Sequence, residues 1–295
     1  MSPRVAVLGG GQGWHVEDLV RAGRLLGLSV ETSGFSGFGV ELGAGKRAVW
    51  CDEREVSSFE CIIVRSMPAG SLEGVIFRMD ALQRLERLGT RVLNRPRALE
   101  CCIDKHLSAE RLEAAGLPVP PTMTAETAAR AIEGFEELGG DVVLKPLFGS
   151  EGKGLERLGS RERALSRFAE LEKAGSVIHI QRFIDHPGHD LRLLVIGGVS
   201  IAAMRRCVPG DGSFITNIAR GGRAEAHDPS PEVRRLAEEA ARAVDAEVAG
   251  VDVIPDGEGR HWVLEVNAVP GWRALSSVTG IDVAREVLAY AARRD

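Results

Sequence analysis

No stretch of the 295 residues approaches the roughly 18–20 consecutive apolar residues that a membrane-spanning helix needs, so no membrane partner is expected. The opening "MSPRVAVLGGGQGW" has an apolar segment too short for a secretory signal and turns to glycine at once. No basic tract is present: the net charge is −5 with Lys/Arg and Asp/Glu interspersed, which argues against a general nucleic-acid binder. The five cysteines (51, 61, 101, 102 and 207) form no CxxC pair, and the seven histidines form no HExxH. That scatter reads as reduced thiols in a cytoplasmic protein, not a disulfide frame or a zinc site. No Ser-His-Asp or Cys-His signature is found either. What is present is a chain with 44% hydrophobic and 27% charged residues, long enough for two or three packed domains.

Apolar patterning gives the organisation. "RVAVLGG" (4–10), "CIIVR" (61–65) and "TRVLN" (90–94) read as strands, alternating with helical spacing over 15–27 and 79–89. This predicts a small parallel α/β unit up to about residue 95. A helix over about 104–115 stops at Gly116, and the three prolines of "LPVPPT" mark a domain boundary. Next come a helix with Thr124 as N-cap, a strand over 141–147, the glycine-rich "FGSEGKG", a helix over 161–173 and a strand over 177–183. They form an α+β module. Strands then dominate, at 191–196, 199–206, 249–254 and 261–267. One helix interrupts them, 231–247, with Ser230 as N-cap and Pro231 at its first position, and a helix over 282–293 closes the chain. No internal repeat or low-complexity segment is seen.

Two glycine-rich loops are candidate phosphate sites. In "VLGGGQGW", Gly9, Gly11 and Gly13 follow a strand as a dinucleotide fingerprint would. Trp14, however, stands where close packing wants a small residue, and Glu31, at the distance of a ribose-binding acid, opens a loop. A tight turn of a Rossmann-like unit is the plainer reading, and a nicotinamide-dependent oxidoreductase the rival. In "VVLKPLFGSEGKG", Lys145 lies among apolar strand residues, where a lysine needs a reason to point inward. Gly149, Ser150, Gly152 and Gly154 follow, and such glycines let backbone N–H groups converge on phosphate. No GK[ST] opens a helix here, so this is not a Walker A loop, and an exposed hairpin turn is the alternative.

In "WVLEVNAVPGW", Glu265 and Asn267 are two apart and so share one face of a strand. A hairpin with "AGVDVI" through "PDGEGR" would set Asp252 beside them. Three oxygen donors of this kind fit Mg²⁺, which takes one or two carboxylates with phosphate and water. A salt-bridge cluster with Arg205, Arg206 or Arg220 fits equally well. Arg192, Arg205, Arg206, Asn217, Arg220 and Arg223 sit at strand ends, as suits a site that manages phosphate or carboxylate charge. Arg206 and Arg223 also read as ordinary surface residues.

Taken in order, "CIDKH", "VVLKPLFGSEGKG", "IQRFI", "HDLRLLVIGG", "AAMRR", "TNIARGG", "AGVDVI" and "VLEVNAVPG" resemble the ATP-grasp superfamily, in its RimK-like branch of α-L-glutamate ligases. The resemblance spans about residues 94–292 and implies an ATP-grasp fold. That fold would comprise a Rossmann-like pre-ATP-grasp domain (1–95), a central lid subdomain (96–185) and a C-terminal mixed-sheet subdomain (186–295) with the metal site. It implies an ATP-dependent carboxylate–amine ligase working through an acylphosphate. Lys105, Lys145 and the 149–154 loop would hold ATP phosphates; Gln181, Arg182 and Phe183 would line adenine, with Asp190 near the ribose. Asp252, Glu265 and Asn267 would hold two Mg²⁺ ions, with Mn²⁺ as a substitute, and Arg192, Arg205, Asn217 and Arg220 would surround the γ-phosphate and acyl group. Arg182 departs from the family, which often has glutamate there. The expected substrates are L-glutamate and a small coenzyme of tetrahydromethanopterin type or a peptide-like carboxylate. A ribosomal-protein or peptide C-terminus is the alternative acceptor, a non-catalytic ATP-binding regulator the alternative role, and a homo-oligomer is allowed.

Overall fold

The computed structural model describes residues 3–9, 13–35, 37–43, 48–149, 153–209, 216 and 221–293. The chain opens with β1 (Arg4–Leu8), α1 (Trp14–Leu26) and β2 (Ser29–Ser33). Later come β6 (Cys61–Val64), α2 (Leu72–Arg87) and β7 (Arg91–Leu93). The four strands pair in parallel in the order β2-β1-β6-β7. Val5 to Leu8 and all of β6 are buried, the continuous apolar run that a strand covered on both faces needs. Between β2 and β6 lies a small antiparallel sheet of β3 (Gly39–Val40), β4 (Val49–Cys51) and β5 (Arg54–Glu55), strands too short to show a period. Glu31 does not open a loop. It sits inside β2, with its carboxylate paired to Arg54 (2.9 Å) and Arg4 (3.4 Å).

α2 begins well before residue 79, capped by the Ser71 hydroxyl, which accepts from the Gly74 N–H (3.1 Å). Leu72, Ile76 and Phe77 are exposed, so the apolar spacing of Leu72, Val75, Ile76 and Met79, a helical signal not singled out from the sequence, covers no core in the first turns. After β7 come α3 (Pro96–Ile103) and α4 (Lys105–Ala114), and Asp104 ends one helix and caps the next by accepting from the His106 and Leu107 N–H groups.

β8 (Thr122–Ala125), α5 (Ala128–Glu137), β9 (Val142–Lys145), β10 (Glu156–Leu158), α6 (Arg161–Lys173) and β11 (Ile178–Arg182) form the next unit. Its sheet is antiparallel, ordered β10-β9-β11-β8. Thr124 is not a helix cap. It lies in β8, and Thr127 caps α5 by accepting from the Arg130 N–H.

The last sheet is ordered β14-β13-β12-β15-β16, all antiparallel. Its strands are β12 (His189–Ile196), β13 (Val199–Cys207), β14 (Arg223–Ala226), β15 (Val248–Pro255) and β16 (His261–Asn267), with α7 (Pro231–Ala243) before β15. α7 ends four residues short of 247, because Asp245 takes a positive φ of 57°. α8 (Arg273–Thr279) and α9 (Val283–Ala291) close the chain. Among the described residues no helix is long and apolar enough to cross a membrane.

Two hydrophobic cores draw on both the first and the last sheets, one joining Leu8, Ile62 and Leu82 to Leu193 and Val251, the other Val7, Leu19 and Ile63 to Leu194, Trp272 and Leu288. The third is confined to the middle unit, around Phe135, Leu144, Phe168 and Ile180. Buried Asn94 pins the first seam to the site-bearing strands. Its amide donates to the Val248 (2.7 Å) and Ala268 carbonyls, and its oxygen accepts from the Val248 N–H (2.9 Å).

Candidate active site

Between the middle sheet and the last one lies a cleft open to solvent, with about 920 Å³ of empty space. One half is apolar, with Val143, Leu155, Phe183, Ile184, Ile254 and Leu264. The other half carries Lys105, Lys145, Gln181, Asp252 and Glu265. Sequence positions 160 residues apart thus converge on one space.

Lys145 ends β9, opposite His179 on β11. Its ammonium donates to Gln181 Oε1 (2.5 Å), and the Gln181 amide donates in turn to Thr122 Oγ1 (3.0 Å), which fixes the lysine's direction. Burial pulls the Lys145 pKa down to about 8; Lys105 adds to the fall, and Glu265 and Asp252 oppose it. Lys105 is the first residue of α4 and donates to the Gly149 carbonyl (2.9 Å). Its pKa is also lowered, by burial, against the pull of Glu265 and Asp104. Burial and these two lysines push His179 down to about 3, so it is a neutral ring bonded to Thr124 Oγ1 (2.8 Å). Gly149 and Gly154 have φ of 143° and 75°, and a Cβ at Gly154 would meet Pro146 at 2.7 Å, so the loop's glycines serve geometry.

Asp252 and Glu265 are direct cross-strand partners in β15 and β16, with Asn267 opposite Gly250 on the same face. A bulge follows Asp252, so Leu264 and Glu265, neighbours in sequence, both line the cleft; a regular strand would send them to opposite sides. Asp252 receives Arg192 through both oxygens (Nη2–Oδ2 2.8 Å) and Arg206 at Oδ2 (3.0 Å). Arg206 also grips Asp190 (2.8 and 2.5 Å), whose Oδ2 accepts from Thr216 (2.6 Å). Burial alone would raise the Asp252 pKa, but Arg192 and Arg206 hold it below the usual carboxylate range. Arg206 is raised despite burial, by Asp252 and Asp190.

The salt-bridge cluster allowed by the sequence is therefore present, with Arg192 and Arg206 as its cations. Arg206 is no surface residue, at 5% exposure, whereas Arg223 is exposed and paired with Glu225. Arg205, expected at the γ-phosphate, lies opposite Leu191 on the other face of the sheet and contacts His227 (3.4 Å). Strand alternation gives the cleft to its neighbour. Asp190 lines the cleft, but Arg206 and Thr216 occupy its carboxylate. Arg182 and Phe183 also line it, Arg182 near Trp262 and Phe183 under the Arg157 guanidinium (3.5 Å). Ser150, Gly152, Asn217 and Arg220 lie outside the described residues.

Whether these residues suit a metal ion depends on free lone pairs. Glu265 has no hydrogen bond or ion pair among the described residues. Among the described residues Asp252 Oδ1 accepts only from Arg192, and Asn267 Oδ1 only from the Val269 N–H (2.9 Å), so each retains one acceptor site there. No three His, Cys, Asp or Glu side chains form a cage among the described residues. The donor set fits a hard cation that arrives with phosphate, since Mg²⁺ needs few protein ligands. Gly250 was not singled out from the sequence, although a glycine inside an apolar strand marks a close approach. A Cβ there would meet Arg192 Nη1 at 2.9 Å and Pro270 Cβ at 3.0 Å.

A family model for the RimK-like ATP-grasp domain matches residues 102–291. The chain is 35% identical over 269 residues to the tetrahydromethanopterin:alpha-L-glutamate ligase of Methanosarcina acetivorans, with 80% of each covered. It is 34% identical over 210 residues to a probable alpha-L-glutamate ligase of Haemophilus influenzae, covering 71% of this chain and 69% of that one. Among solved structures, the ATP-grasp ligase PsnB complexed with minimal precursor superposes with a TM-score of 0.78 at 23% identity, over 98% of each chain. A RimK domain ATP-grasp protein from Sphaerobacter thermophilus gives 0.74 at 22% identity, over 98% of this chain and 99% of that one.

Proposed function

The chain belongs to the RimK-like ATP-grasp family and is a carbon–nitrogen ligase, and from that premise we propose that it uses ATP to join L-glutamate to a substrate carboxylate. The acceptor in this reading is a small coenzyme of the tetrahydromethanopterin type, supported by the 35% identity to a relative with that acceptor in its name. The observation that carries the reading is the meeting of two lysines, an unpaired carboxylate and an apolar slot in one cleft.

Lys105 and Lys145 each spend one N–H on the protein, on Gly149 and Gln181, and keep two for phosphate oxygens. The apolar half of the cleft suits a purine base, with Gln181, Arg182 and Phe183 along its wall. Glu265, Asp252 and Asn267 would hold Mg²⁺, one ion or two, or Mn²⁺ in its place, and the ion would neutralise phosphate charge as it develops. Arg192 and Arg206 stand beside that carboxylate set and offset the charge of the transferring group and the acyl oxygen. The substrate carboxylate takes the terminal phosphoryl group, the amine nitrogen then bonds to the acyl carbon, and phosphate leaves with the C–O bonding pair. No protein nucleophile is required. We read residues 1–95, 96–185 and 186–295 as acceptor-facing, lid and metal-bearing units of a cytoplasmic enzyme.

The test is ADP release from Mg–ATP with L-glutamate and a panel of carboxylate acceptors. Release that requires both organic substrates, with a new amide by mass spectrometry, supports the proposal. Amide formation with another amino acid and none with glutamate would overturn the glutamate assignment.

A further inference from the structure

At the carboxyl ends of β1 and β6 stands a charged group that the chemistry above does not use. β2 and β6 flank β1 on opposite sides, so the crevice between β1 and β6 is the switch point where parallel sheets take ligands. Arg65 follows β6 directly, its backbone N–H bonded to the Leu8 carbonyl (2.7 Å). Its guanidinium lies 4.3 Å over the Trp272 ring. Nε is sealed from solvent and bonded to nothing, and no carboxylate pairs with the guanidinium among the described residues. Burial alone draws its pKa down to about 10. A half-buried charge without a partner costs free energy, and such a cost persists where a ligand supplies the missing partner.

The surroundings favour an anion. His15 Nε2 accepts the Trp272 backbone N–H (3.0 Å), which puts the proton of the neutral ring on Nδ1. Burial and Arg65 keep the His15 pKa at about 4, so it is a neutral donor. α1, 13 residues long, starts from Gly13, which has no side chain to cap the first-turn N–H groups. The acid beside His15, Asp18, is already bonded to Arg21 (2.8 Å) and to the Trp272 indole N–H (2.9 Å). At Gly9 a Cβ would stand 3.2 Å from Ser66 Oγ and 3.3 Å from Arg65 Cβ, so this wall is closely packed against the Arg65 segment. Residues 270–272 join the crevice to the acid face of the cleft: Pro270 and Arg192 both abut Gly250, Gly271 abuts His15, and Trp272 carries Arg65.

We infer that Arg65, on its Trp272 platform beside His15 and the amino end of α1, binds a carboxylate of one of the two organic substrates. The inference rests on the ligase reading for the identity of its ligand. A guanidinium fork matches a carboxylate in two parallel hydrogen bonds, and the nucleotide phosphates have their own cations in Lys105 and Lys145. The carboxylate comes from the amino acid or from the acceptor.

Calorimetric titration of the Mg–ADP-loaded protein separates these sources. The titrants are L-glutamate, its dimethyl ester, and N-acetyl-L-glutamate as a carboxylate without a free amine. Arg65→Met weakens binding of a carboxylate probe by about tenfold or more, Arg65→Lys by less, and the ester does not bind. Loss confined to L-glutamate assigns the amino acid, and loss that includes the N-acetyl compound assigns the acceptor. Arg65→Met keeps Mg–ADP affinity and a thermal midpoint at or above wild type, since methionine retains the packing on Trp272 without the unpaired charge. Equal carboxylate affinity in wild type and Arg65→Met overturns the inference, as does a wild type that binds Mg–ADP but no carboxylate. A wild type that fails to bind Mg–ADP overturns the ligase reading, and the inference with it.

Discussion

Lys145 and Glu265 bear on one another across the cleft, and each makes a testable demand. Lys145 titrates near 8 in the folded chain against 10.5 in a free one. Between those values the unfolded chain holds a proton that the folded chain has lost, so stability rises with pH over that window. The cost of the buried charge is fully present below about pH 8. The Lys145 contribution to urea midpoints of the ligand-free protein should therefore grow from pH 7.5 to 9.5, so wild type should gain more over that range than Lys145→Met, in which the lowered pKa of Lys105 remains. ADP affinity should move the opposite way, falling about tenfold above pH 8 as one charge-assisted hydrogen bond is lost. Glu265→Gln removes the carboxylate of the site that has no hydrogen bond or ion pair among the described residues. Mg²⁺-dependent ADP release should drop by about 10²-fold or more, with an unchanged circular dichroism spectrum. Retained turnover would sink the metal assignment.

Alternation and turn residues are read easily from sequence; strand phase against a neighbour is not. The pairing of Asp252 with Glu265 is foreshadowed by two apolar runs around "PDGEGR". Nothing in "AAMRR" says which arginine faces the cleft. Only the register of β13 on β12 gives Arg206 to Asp190 and turns Arg205 away. The bulge that places Leu264 beside Glu265 is equally silent. Gly250 shows how an element's backbone sets the site. A methyl group there would collide with Arg192 on one side and Pro270 on the other. Gly250→Ala should cost about 1–3 kcal/mol in urea unfolding from overpacking. By shifting Arg192 off Asp252 it should lower kcat by about tenfold or more. A stability loss with unaltered kcat would show that Arg192 is not needed in place.

Across the whole molecule, the cores divide unequally. The middle unit is held by its own core, while the first and last sheets share two. The longer buried strands and most helices are legible from periodicity, whereas the short or edge strands β2, β8, β10 and β14 are not, and neither is this sharing, because it depends on which faces meet. Separate cores allow separate opening. In hydrogen–deuterium exchange, residues 122–182 should exchange as one block ahead of the buried strands β1, β12 and β15, and Mg–ADP should slow that block most. Uniform slowing across the chain would contradict this. The shared cores also bear on descent. α1 lies against α9, and Asn94 is bonded to Val248 and Ala268, so the strands that present Arg65 are sewn to those that present Glu265. Residues 1–95 exchanged between relatives as a cassette would therefore arrive with an unmatched seam, and a chimera of that kind should be less stable than either parent.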